Sequence, residues 1–141
     1  MDEQPDLDRF VNAQDAGGTY DAAVRELRAG RKQTHWMWFV FPQIAGLGLS
    51  STSRRYAIAS LAEARAYLAH PVLGRRLVQC ADIVATSPAE AAEAILGPID
   101  AMKLRSSMTL FRRADPTEAV FGAVLDRYFG GVSDPETERR L

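Results

Sequence analysis

Apolar residues recur along this chain three and four positions apart, and Gly, Pro, Ser and Asp interrupt the series at short intervals. That pattern predicts helices separated by tight turns. Leu7 to Gln14 reads as a short first helix ending before Gly17 and Gly18. A second starts at Thr19 or Tyr20, puts Tyr20, Val24 and Leu27 on one face, and stops at Gly30, a residue suited to the left-handed turn past a helix end. Ser60 and Glu63 form a capping box for a helix over Leu61 to Ala69. His70-Pro71 opens the next, with His70 as its entry residue, and Leu73, Leu77, Cys80 and Val84 draw a narrow apolar seam along it. Ser87-Pro88-Ala89-Glu90 and Asp115-Pro116-Thr117-Glu118 repeat the opening signal. The latter leads into a stripe of Val120, Phe121, Val124, Leu125, Tyr128 and Phe129 closed by Gly130, and Asp134-Pro135 begins a last short turn. No clean alternation marks a strand. The expected fold is mainly α, a single compact multihelical domain of about six to eight helices over residues 1–141, with 1–6 as a flexible N-terminal tail.

One segment departs from this rhythm. His35-Trp36-Met37-Trp38-Phe39-Val40-Phe41-Pro42-Gln43 holds both tryptophans and is apolar on every side, so it belongs at the centre of the fold, as a short helix stopped before Pro42. Burying each large side chain stabilises by roughly 1.5–3 kcal/mol. Core packing is the plain account of such a cluster. The functional account uses its polar ends: His35 and Gln43 bracket an apolar wall, and the faces of Trp36 and Trp38 suit stacking on a flat ring. The following stretch, Ala45 to Ser53, is a donor-rich loop that matches neither a phosphate-loop nor a dinucleotide fingerprint.

The helix expected over Pro98 to Arg113 carries polar residues in the wrong place. Advancing about 100° per residue puts Leu104, Met108 and Phe111 to one side of Asp100, and Ile99 and Leu110 to the other. Asp100, Lys103 and Ser107 thus lie inside the apolar arc, while Arg105, Arg112 and Arg113 face away. A buried charge pair seldom repays its desolvation. It is accounted for either as a structural tie to a neighbouring helix or as the lining of a cleft. Lys32 and Lys103 are the only lysines beside 15 arginines, so a lysine at this position supplies a compact ammonium where the chain otherwise uses guanidinium.

Composition narrows the possibilities. The 17 basic residues nearly cancel the 18 acidic ones, which argues against a nucleic-acid binder held by general electrostatics. The four arginine pairs, at 54–55, 75–76, 112–113 and 139–140, read as solvated surface. Cys80 lies on an apolar seam and reads as an inert core thiol. Two histidines and one cysteine argue for a metal-free site, and no cofactor motif is present. The acidic start Met1 to Pro5 and the lack of a long apolar run predict a cytoplasmic protein without a membrane segment.

Ala13-Gln14, Tyr20, the whole of His35 to Gln43, Gly46-Leu47-Gly48, Tyr56-Ala57-Ile58, His70 to Gly74, Asp100 to Leu104, Ser106 to Phe111 and the tail from Gly131 to Thr137 together resemble one family from Leu7 to Leu141. It is known as domain of unknown function 1810 and is sometimes mislabelled calpastatin. The resemblance implies a small, mostly helical cytoplasmic protein and carries no activity with it. A fainter likeness in helical layout links it to a superfamily acting on ADP-ribose-like nucleotides, an analogy of fold alone. Two expectations follow. In the first, the protein binds or hydrolyses a nucleotide-like ligand of the ADP-ribose class in a polar and aromatic cleft. Asp100, Lys103 and His35 would serve any chemistry there, with Trp36, Trp38, Gln43, Ser107 and Thr109 in contact with the ligand. In the second, the same residues are core, and the chain is a noncatalytic domain that docks a protein or RNA.

Overall fold

The computed structural model describes residues 6–141, so the expected tail, apart from the exposed Asp6, lies outside the described residues. Their regular structure is helical: α1 (Asp8–Asp15), a 3₁₀ turn (Ala16–Gly18), α2 (Thr19–Arg28), α3 (Met37–Val40), α4 (Ser51–Arg55), α5 (Leu61–Ala69), α6 (Leu73–Ala85), α7 (Ala92–Leu96), α8 (Pro98–Ala114), α9 (Ala119–Phe129) and α10 (Pro135–Arg139). Six of these run for eight residues or more, and α3, α4, α7 and α10 are single turns of four or five. The expected six to eight helices therefore match the long ones, and the surplus comes from connections that coil into one turn. The sole extended pairing among the described residues is an isolated parallel bridge between Ile44 and Ile58. No described helix is long and apolar enough to cross a membrane.

Helix ends follow the chemistry of their caps. Ser60 Oγ accepts from Glu63 N at 3.1 Å, and the Glu63 carboxylate accepts from Ala59 N at 2.9 Å. His70 Nδ1 accepts from Val72 N and Leu73 N, at 3.1 and 3.3 Å, and so caps α6 two residues later than the proline signal suggests. Gly30 and Gly130 take the left-handed conformation after α2 and α9. Two expected starts are displaced. Ser87 and Asp115 accept from Ala89 N and Thr117 N and so close local turns, while α7 and α9 begin only at Ala92 and Ala119.

Packing centres on α8, which contacts α5, α7, α9 and α10, while α6 bridges α2, α5 and α9. The predicted seam of α6 is buried throughout. An aromatic line crosses the core from Phe10 to Tyr67, Phe111 and Phe121, with ring centroids 5.1, 5.3 and 6.0 Å apart. Gln14 sits inside this core with its amide satisfied. Its Nε2 donates to Phe39 O at 2.8 Å, and its Oε1 accepts from Arg76 at 3.1 Å, which ties α1 to α3 and α6. Paired bonds of 2.8 Å, Ile58 N to Gln43 O and Ala45 N to Ile58 O, clamp the loop that leaves α3.

The approach of α5 to α6 fixes one glycine. A Cβ at Gly74 would stand 2.1 Å from the Leu68 carbonyl oxygen, a backbone atom that cannot swing aside. Gly74→Ala is therefore expected to cost about 1–3 kcal/mol, the range for overpacking, read as a lowered urea midpoint. An unchanged midpoint would show that the two helices separate freely at this point.

Candidate functional site

The site is assembled from the loop after α2. Beyond Gly30 the chain is gathered by one carboxylate. Glu26 Oε1 accepts from Gln33 N, Thr34 N and Trp36 Nε1 at 2.6, 2.8 and 3.0 Å, and Oε2 accepts from Thr34 Oγ1 at 2.6 Å. Burial pulls this carboxyl upward, but the Thr34 hydroxyl, the two backbone N–H groups and the indole together outweigh it and hold the group down at about 2. Lys32 N donates to Ile95 O at 2.7 Å, which docks the loop on the end of α7. The Lys32 ammonium is thereby placed 5.2 Å from the centre of the Trp36 ring and 3.1 Å from Asp100 Oδ2.

Asp100 lies in the first turn of α8, which starts at Pro98 after Gly97 at φ +82°. Its second oxygen, Oδ1, is 3.6 Å from Lys103 Nζ, the i,i+3 pairing expected from the helical wheel. Lys103 in turn lies 5.3 Å from the centre of the Trp38 ring. Both lysines of the chain thus meet a single carboxylate, and each lies over one of the two tryptophans. The three charged side chains are only 12, 18 and 25% exposed for Lys32, Asp100 and Lys103. Two ammonium groups share one negative charge, so the cluster carries a surplus positive charge. Each oxygen of Asp100 thus faces one ammonium group.

Two adjoining cavities open beside this cluster. One, of about 160 Å³, is lined by Trp38, Gln43, Gly48, Ser53, Arg54 and Tyr56. The other, of about 300 Å³, lies between Gln43 and Leu47 on one side and Ile99, Met102 and Lys103 on the other. Gln43 and Gly48 belong to both walls. Gly48 allows the close approach, because a Cβ there would meet the Ser53 side chain at 2.4 Å.

The structure thus brings Trp38, Gln43 and Lys103 together at a cleft, with Asp100 behind Lys103. The other expected residues lie elsewhere. Trp36 is fully buried and supports Lys32 from within the core. Thr109 is 1% exposed, donates to Arg105 O at 2.8 Å and accepts from Asp134 N at 2.9 Å, which joins α8 to the start of α10. Ser107 is fully enclosed, and its hydroxyl has no hydrogen-bond partner. His35 is exposed, and no hydrogen bond or ion pair joins its side chain to another described residue. Ile99, placed in the apolar arc by the wheel, is 71% exposed and lies on the larger cavity together with Leu47. Lys32 escaped the sequence reading: it sits in a loop without periodicity, and its rarity was the one available signal. Burial pushes the Cys80 thiol up to about 12, in keeping with an inert core residue. Arg76, Arg113, Arg139 and Arg140, four of the paired arginines, meet carboxylates of Asp15, Glu138 and Glu136.

Comparison with known proteins agrees with the motif resemblance. The family described as "Protein of unknown function (DUF1810)" matches residues 4–141. The chain is also similar to a solved structure, the conserved hypothetical protein Rv1873 from Mycobacterium tuberculosis, at 51% sequence identity and a TM-score of 0.93, with 96% of each chain covered. No curated protein matches.

Two consequences are measurable. A folded-state pKa below the unfolded value contributes stability that is present above the unfolded value and is lost as pH falls towards the folded one. The stability advantage of the native chain over Glu26→Gln should therefore shrink as pH drops from about 4.5 towards about 2 in urea titrations. An advantage constant over that window would remove the linkage. For Ser107, deleting an orphaned buried hydroxyl should raise stability, and Ser107→Ala is expected to gain about 1 kcal/mol. A loss instead would reveal a partner for the hydroxyl.

Proposed function

We propose that this chain, which belongs to the DUF1810 family, is a binding protein for a small nucleotide-like anion of the ADP-ribose class. The observation that carries this reading is the position of Lys103. Lys103 lines the larger cavity, and its ammonium is held by Asp100 at the looser 3.6 Å, which leaves the tighter 3.1 Å contact to Lys32. Its charge is accordingly the part of the cluster that an incoming anion neutralises best. The smaller cavity supports the same reading. Trp38 and Tyr56 present flat aromatic surface, and Gln43 places an amide between the two chambers. Convergent polar groups on a mostly apolar lining are the usual make-up of a small-ligand site. The reading stops at binding because no hydrogen bond or ion pair joins His35 to the Asp100 cluster.

The test is a thermal-shift series with AMP, ADP-ribose and ribose 5-phosphate on the native chain, Lys103→Ala and His35→Ala. A ligand at 100 times its dissociation constant stabilises a one-site protein by about 2.7 kcal/mol. The expected result is a shift with AMP or ADP-ribose that Lys103→Ala abolishes and His35→Ala retains. Absence of any shift in the native chain, or a shift that Lys103→Ala preserves, would overturn the reading.

A further inference from the structure

The larger cavity has a feature that a nucleotide does not account for. Ile99 and Met102 are 71 and 72% exposed and lie three residues apart on one face of α8, with Leu47 opposite them. Apolar side chains clustered on a concave surface mark a place where something binds. The charges around them select its character. Of the acidic groups on this lining, Asp134 already accepts from Thr137 N, Thr137 Oγ1 and Ser106 Oγ at 3.0, 2.6 and 3.2 Å, and Glu136 is paired with Arg139 and Arg140. The basic groups are less well matched. Lys103 shares Asp100 with Lys32, and Arg105 donates only to the carbonyls of Val132 and Ser133, at 3.0 and 2.9 Å. The groove therefore has an apolar lining; the charges of Arg105 and Asp134 offset each other, and the surplus positive charge lies at Lys103, which shares Asp100 with Lys32.

We propose that this groove takes an amphipathic small anion, with its phosphate or carboxylate head against Lys103 and its apolar chain over Ile99, Met102 and Leu47. The inference deepens the cleft reading and rests on it in one respect, the use of Lys103 as the anion-holding group. It adds that the ligand carries an apolar substituent. The chemical class is then an acyl- or alkyl-bearing anion, and a bare nucleotide fills only part of the site.

Titration calorimetry of the full chain with ethyl, butyl and hexyl phosphate, and with AMP alongside, tests this. Burial of one methylene corresponds to about fourfold in affinity, so binding should strengthen by roughly that factor per carbon until the groove is full. The double variant Ile99→Gln/Met102→Gln alters two exposed positions to residues that favour helix. It should lose the dependence on chain length while keeping the native urea midpoint, and Lys103→Ala should weaken every probe. Alkanoates of the same lengths distinguish a carboxylate from a phosphate head, and a chain-length gradient in either series supports the proposal. A flat response to chain length in both series, or a gradient that the double variant retains, would overturn it. AMP binding without a gradient would remove this inference and leave the nucleotide reading standing. A gradient without AMP binding would do the reverse, and silence from all probes would remove both.

Discussion

Everything at the cleft depends on the carboxylate of Asp100 and the two ammonium groups that close on it. The contact joins three parts of the chain that no helix connects: the loop after α2, through Lys32, the aromatic turn α3, through Trp38 beneath Lys103, and the first turn of α8. A buried ion pair on its own roughly breaks even against apolar packing, because desolvation takes back most of the Coulombic gain. The tryptophan faces alter that balance, since a cation resting on an aromatic ring gains about 0.5–2 kcal/mol without needing water. What the cluster contributes above all is position. It sets the open end of α8 at a fixed distance from the Gln43–Gly48 loop and so defines the groove between them.

Much of the scaffold was written in local chemistry. The seam of α6, the caps at Ser60 and Asp134 and the glycines at 30 and 130 depend on neighbours within about one turn, which a single sequence displays in full. Ser87 and Asp115 misled because the same side chains that cap helices also close isolated turns, and only tertiary packing decides which. The pairing of Asp100 with Lys103 was legible for the same reason, being an i,i+3 contact on one helix. The approach of Lys32 to the same carboxylate was not, because 68 residues separate the partners along the chain and no periodicity links them. Helical-wheel reasoning also assumes a partner along the whole length of the apolar face. At Ile99 that partner is missing, and the residue expected inside became the floor of a groove.

The aromatic segment shows how one run of residues divides between core and cleft. Trp36, Met37, Phe39, Val40 and Phe41 are buried, while Trp38 is only partly covered and reaches the cavity wall. A single helical turn suffices for this, since consecutive side chains diverge by about 100° and cannot all face the same way. Glu26 fixes the turn's orientation from one side through the Trp36 indole, and Gln14 from the other through the Phe39 carbonyl. The buried Gln14 and the half-buried Glu26 thus act at the surface through the aim of Trp38.

On the proposed binding reading, the unequal grip on Asp100 would let the cluster accept a ligand without coming apart. An anion arriving at the groove competes with Asp100 for Lys103, and it competes against the longer contact, 3.6 Å, with the more exposed of the two lysines. Lys32, at 3.1 Å and 12% exposure, would keep its hold and leave Asp100 neutralised if Lys103 turned to such a ligand. With a lone pair in place of this triad, ligand binding would strand a carboxylate in a poorly solvated position, at a cost of several kcal/mol. The second lysine removes that penalty. On the proposed binding reading, this is what the second lysine adds beyond a tie between helices, for which one ammonium would suffice.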